Sequence, residues 1–189
     1  MTETEEMSCP APDDWRAELV WGHPGIFQPP EDHPELAEGL PDCGVGWLGL
    51  LERVCVRIEN ALEKDEGDTI KVVQIKEKYG TLRIYWEGRL SERAKAEVEE
   101  AITLATARSA CTCEICGDEG RLYTRGGWLA TACADHAKGE PVPVKPGLEN
   151  VHIVWGTFNG HVRILSCRRY DRATDSFVVF PPDSLGIQE

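Results

Sequence analysis

The sequence predicts an α+β protein: an α-β-β-α unit fused to a treble-clef-like zinc finger and followed by a small antiparallel β-meander. Three observations predict it. Apolar residues recur at three- and four-residue steps over 46–64 and again over 94–105, the period of an amphipathic helix. Between them, two β-rich runs flank the dipeptide Tyr79-Gly80. Beyond the second helix comes the spacing Cys113-x2-Cys116, then sixteen residues, then Cys133-x2-His136.

Residues 1–41 read as an acidic, Pro-rich N-terminal arm. Residues 1–40 carry ten acidic side chains against Arg16, a net charge of −9 out of −13 for the whole chain. A segment so charged is expected to be solvated and partly disordered, or to dock on a basic partner. Only the apolar pieces Trp15 to Trp21 and Ile26-Phe27 are able to pack. Residues 42–110 form the core unit. Its first helix buries Trp47, Leu50, Leu51, Val54, Ile58, Ala61 and Leu62, with Cys55 as a small core thiol. The hairpin Thr69–Lys78 and Thr81–Glu87 follows; in its second strand Leu82, Ile84 and Trp86 alternate with Thr81, Arg83 and Tyr85. Ser91 caps a helix whose buried stripe is Ala94, Val98, Ala101, Ile102 and Ala105, ending near Ser109.

Residues 111–139 form the finger. Two ligands two residues apart reach one ion from a single turn, and three sulfurs with one imidazole complete the tetrahedron zinc adopts in structural sites. Cys113, Cys116, Cys133 and His136 are therefore the expected zinc ligands; Cys111 is the alternative to Cys113, but lacks the two-residue gap. Arg121–Thr124 and Trp128–Ala132 read as a hairpin, and Cys133–Lys138 as one or two helical turns closed by Gly139. Residues 140–189 open on a Pro-rich connector. The meander follows: Val151–Phe158 and His161–Cys167 flank Asn159-Gly160, a strong hairpin signal, and Ser176–Phe180 is the third strand.

Composition narrows function. No apolar stretch approaches the ~18 residues a membrane span needs, and the acidic start does not resemble a secretory signal. Both point to a cytoplasmic protein, in which clustered cysteines mean metal more often than disulfides. Net negative charge repels nucleic-acid phosphates at long range. Four protein ligands leave zinc no vacant position, so the ion is expected to hold structure and not to activate water. The motif His-Glu-x-x-His, the Pro-Cys-x-x-Cys element of zinc deaminases and the glycine-rich phosphate loops are missing. Cys43, in a Gly-rich loop before a helix, is the remaining candidate nucleophile, without a readable histidine partner. Two basic clusters are candidates for binding: Lys76, Lys78, Arg83 and Tyr85 on the hairpin, and Arg163, Arg168, Arg169 and Arg172 on the meander. The expected function is a non-enzymatic, zinc-stabilised module that binds a protein partner, with nucleic-acid binding through the hairpin face as the alternative.

Several segments resemble an uncharacterised family of small phage, prophage and bacterial proteins. They are Cys43-Gly44-Val45-Gly46-Trp47, the run Gln74 to Tyr85, Cys113-Glu114-Ile115-Cys116-Gly117, and Gly126-Gly127-Trp128 leading to Cys133. The resemblance covers about residues 40 to 138. It departs at Val45, where the family usually has an acidic residue, and at Tyr79 and Ile84, where it has Phe. It implies a phage or mobile-element accessory protein and carries no established activity.

Overall fold

The stripe of apolar residues after Trp47 is buried as its spacing requires. Leu50, Leu51, Val54, Cys55, Ile58 and Ala61 line one side of α3 (Leu48–Leu62), which a 3-10 turn at Val45–Trp47 precedes. This is a computed structural model, and it describes residues 14–64, 66–158 and 160–181. Across from α3 lies α4 (Glu92–Ser109), whose Ala94, Val98, Ala101 and Ala105 face inward. Small residues on α4 let the two helices approach closely, and long ones on α3 fill the space between them.

The helices cover one face of a sheet. Strand β2 (Thr69–Lys78) pairs antiparallel with β3 (Thr81–Arg89) around Tyr79 and Gly80, both at positive φ, as a tight two-residue turn demands. Ile70, Val72, Ile75 and Leu82 enter the core; a register shift between Val72 and Gln74 re-aims the strand near its middle. The α-β-β-α unit is as the sequence predicts, with one addition: β1 (Pro41–Asp42) lies parallel to β2, giving the order β1-β2-β3.

The expected solvated arm needs correction for its described part. Residues 14–41 fold onto the core through α1 (Asp14–Gly22) and α2 (Pro24–Phe27), while 1–13 lie outside the described residues. Trp15, Leu19, Val20, Ile26 and Phe27 join the main apolar cluster. Arg16 donates to the carbonyls of Pro41 and Cys43, and Gln28 donates to that of Ile70. The packing falls on the two apolar pieces that the sequence marks as able to pack, and their burial outweighs the segment's acidity.

Ser91 Oγ accepts from Ala94 N–H at 3.1 Å, and Asp68 in turn holds the Ser91 backbone. Ser91→Ala is expected to cost about 1 kcal/mol, seen as a melting midpoint lowered by roughly 2–4 °C.

The Cys/His lobe carries β4 (Arg121–Arg125), β5 (Trp128–Ala132) and β6 (Glu140–Pro141) in the order β5-β4-β6. The helical start expected at Cys133–Lys138 is a single turn, closed by His136 N–H to Cys133 C=O. Gly139, at φ 96°, then reverses the chain against Thr124, and Pro141 ends any helical course. Turn, β4–β5 hairpin and second turn follow in the order the sequence predicts, with a single turn where one or two helical turns are expected. Part of the expected connector is thereby strand.

The meander has β7 (Val151–Phe158), β8 (His161–Asp171) and β9 (Ser176–Phe180) in that order. It docks on α4 through Arg168 to Glu100 at 2.6 Å and through Tyr170, which packs near Ala107, Cys111 and Phe177. Asp175 joins it to both helices, 2.9 Å from Arg57 and 3.3 Å from Arg108. Among the described residues no helix is long and apolar enough to cross a membrane.

Candidate metal centre

Cys113, Cys116, Cys133 and His136 converge: their ligand atoms all lie within 4.8 Å of one another, and they could hold a metal ion. The first pair sits on a tight turn in which Gly117 N–H donates to Cys113 C=O at 2.9 Å and Cys113 N–H donates to Asp118 C=O at 2.8 Å. Gly117, at φ 83°, lets the chain leave the turn. The second pair closes its turn with the bond from His136 N–H.

The distances fit tetrahedral coordination. Sulfurs ~2.3 Å from a shared ion at tetrahedral angles stand about 3.8 Å apart, and a sulfur and an imidazole nitrogen about 3.6 Å apart. Cys116 Sγ is 3.7 Å from Cys133 Sγ, and His136 Nδ1 is 3.6 Å from Cys113 Sγ and 3.2 Å from Cys133 Sγ. Nδ1 is thus the imidazole nitrogen that faces the sulfurs of Cys113 and Cys133. Burial opposes ionisation of Cys113, but backbone N–H groups of Cys133, Cys116 and Ile115 aimed at its sulfur outweigh it and lower the thiol to about 6. The Asp118 N–H favours the Cys116 thiolate. Desolvation, the Asp118 carboxylate and the sulfurs of Cys113 and Cys133 act against it and raise it to about 12. Crowded thiolates repel one another unless a cation sits between them.

Cys111 lies outside the cluster. Its thiol turns back on α4, 3.3 Å from Arg108 C=O and 3.7 Å from Ala107 C=O, and burial raises its pKa.

The loop Cys43–Trp47 seats this centre on the core. Gly46 N–H donates to Glu114 C=O at 2.9 Å, Gly44 N–H to Glu114 Oε1 at 2.9 Å, and Trp47 Nε1 to Thr112 C=O at 2.9 Å. On the far side the Thr131 hydroxyl donates to Gly80 C=O at 2.6 Å, and Arg172 Nη2 to Gly117 C=O at 3.2 Å. These seating residues are absent from the sequence prediction. The two glycines two residues apart were the available signal, and they mark backbone that touches backbone.

Cys43 is not a nucleophile in waiting. It is buried, and desolvation first, then the nearby Glu114 carboxylate, push its thiol up to about 12. That cuts the thiolate fraction at neutral pH by roughly three orders of magnitude relative to a free cysteine. In the native protein iodoacetamide is expected to leave Cys43 unmodified, and to alkylate it once denaturant is added, as mass spectrometry of its peptide will report.

The hairpin residues do come together. Gln74 faces Tyr85 and Lys76 faces Arg83 across β2 and β3, so all four share the side of the sheet away from the helices. The Lys76 ammonium lies 5.1 Å from the Tyr85 ring centre, while Lys78 turns toward Tyr79. The arginines of the meander do not form one cluster: Arg168 pairs with Glu100 and Arg163 is exposed, while Arg169, which donates to Gly147 C=O, and Arg172, which donates to Gly117 C=O, line one cavity.

No family model, no curated protein and no solved structure matches this chain.

Proposed function

We propose that the four-residue cluster holds one structural zinc ion and that the chain is a non-enzymatic module that binds and modulates a protein partner. Three thiolates and one imidazole at tetrahedral spacing suit zinc, whose filled d shell imposes no other geometry. The observation that carries the reading is the closed ligand set. Four protein side chains surround one point and leave no position for water or substrate, while the turn that supplies two of them is pinned to the core by the Gly44–Trp47 loop. Such an ion stabilises a surface and does no chemistry on it. The surface best suited to a partner is the exposed side of β2 and β3, where Lys76, Arg83 and Tyr85 offer charge and aromatic area on a chain of net charge −13.

The test is affinity capture from host lysate with the full chain and with a Lys76→Glu/Arg83→Glu variant. A partner held by the wild type and lost by the folded variant supports the reading. Identical catches, or none from protein with one equivalent of zinc, count against it. The cation-over-aromatic arrangement of Lys76 on Tyr85 favours a second reading, nucleic-acid binding by this face. Oligonucleotide titrations at low and physiological salt separate the two: salt-sensitive binding that the double variant loses moves the assignment to nucleic acid.

A further inference from the structure

A cavity of about 880 Å3 lies between the loop 145–150 and the end of the meander, lined by none of the four clustered Cys/His residues and by no residue of β2 or β3. Its volume is within the range of small-molecule sites, ~300–1,000 Å3. Two kinds of side chain meet in it. Leu148, Val178 and Phe180 supply an apolar wall, while Lys145, Arg169 and Arg172 bring three positive charges on a strongly acidic chain.

The charges are not equally spent. Arg169 is used within the wall: it donates to Gly147 C=O at 2.7 Å and stands 5.4 Å from the Phe180 ring centre. Asp171, the acidic residue of the lining, is turned onto its own loop, accepting from Ala173 N–H and from the Thr174 hydroxyl, each at 2.9 Å. It neutralises neither of the remaining cations. Lys145 is exposed at the mouth and meets no carboxylate among the described residues. Arg172 gives one Nη to Gly117 C=O, and its Nε is buried without an acceptor. A buried guanidinium N–H without a protein acceptor is costly, and an ordered water, an ion or a bound group supplies one.

We propose that this cavity binds a small amphipathic anion, an oxyanion joined to an apolar body. The head group accepts from Arg172 and Lys145, and the body lies on Val178, Phe180 and Leu148. Oxyanions match guanidinium donors in geometry and charge, and the apolar wall adds area that a bare inorganic ion cannot use. The proposal is independent of the partner-binding reading, because neither Lys76 nor Arg83 lines the cavity.

Phenyl phosphate is the probe, titrated into isotope-labelled full-length zinc-loaded protein and followed by amide chemical shifts, with inorganic phosphate and phenol titrated alongside. The expected result is saturable binding of phenyl phosphate, with shifts at residues 145–150, 169–172 and 178–180. Each half-probe binds at least about tenfold more weakly. Lys145→Glu, at an exposed position where only the backbone is bonded, to Leu148 N–H, should weaken binding by about tenfold. Arg172→Ala should do the same or more, though it also removes the bond to Gly117, so Lys145→Glu decides if that variant loses its fold. The proposal is overturned if phenyl phosphate does not saturate, if its shifts fall elsewhere, if Lys145→Glu leaves affinity unchanged, or if inorganic phosphate binds as tightly.

Discussion

Removing the metal, by chelation or by Cys133→Ser, is expected to unfold residues 113–141 while leaving the helices and the β1-β2-β3 sheet in place. The difference follows from how much apolar surface each part buries. The main cluster joins residues from α1 to α4 and contains the largest buried side chains, Trp47, Phe27, Ile26 and Leu51. The Cys/His lobe has Cys113, Tyr123 and Ala132, with Cys133 and Ala137 partly buried around them. A cluster that small does not meet the entropy of ordering three strands and two turns. On the proposed zinc reading coordination supplies the deficit: zinc-finger peptides bind the ion with about 10–16 kcal/mol of apparent free energy, and without it they are unfolded. Hydrogen exchange read by mass spectrometry, with and without chelator, checks this. Protection in 113–141 should fall to near that of an unstructured peptide, while α3 and α4 keep theirs. The Cys133→Ser protein should show loss of its equivalent of metal and the same exchange pattern. Unchanged protection in the lobe after complete metal removal would show that packing alone holds it.

The limits of the sequence reading have the same origin as that contrast. Local patterns were legible wherever one element buries one face. The α3 stripe, the Ser91 cap, the Tyr79-Gly80 turn and the spacing of the four ligands each depend on residues a few positions apart. Contacts set by the packing of distant segments were not. Strand β1 is two residues long and owes its existence to the neighbouring β2, so no period announces it. Trp15 and Phe27 are legible as able to pack, but the surface they pack on is built some fifty residues downstream and no local pattern names it. At Cys133–Lys138 the bond from His136 N–H to Cys133 C=O spans three residues, a 3-10-type turn that uses the same residues as a helical start, so sequence alone does not separate the two. Gly139 at positive φ decides it. The seating of the metal turn joins residues some seventy positions apart, and no spacing rule covers that.

Gly46→Ala is expected to be strongly destabilising. A Cβ at residue 46 would stand 2.4 Å from Cys113 O, 2.5 Å from Gly117 N and 2.7 Å from Glu114 C. All three are backbone atoms of the metal-binding turn, so no rotamer change relieves the overlap. The turn has to lift away from the loop. Lifting it breaks the bond from Gly46 N–H to Glu114 C=O, strains that from Gly44, and leaves Thr112 C=O without the buried Trp47 indole. Steric overlap and lost buried bonds together should cost about 3–4 kcal/mol, a drop in melting midpoint of roughly 10 °C for a chain this size. Metal affinity should weaken as well, although every ligand is retained, because the turn would have to bind in a displaced position. Gly49→Ala is the matched control. It lies one turn further along, in α3, where the nearest atom to a new Cβ is the tip of Arg53 at 3.8 Å, and alanine favours the helix. That variant should melt at or slightly above the wild-type temperature. Equal behaviour of the two variants would mean that the turn does not rest on the Gly44–Trp47 loop, and that the ion holds the lobe without bracing the core.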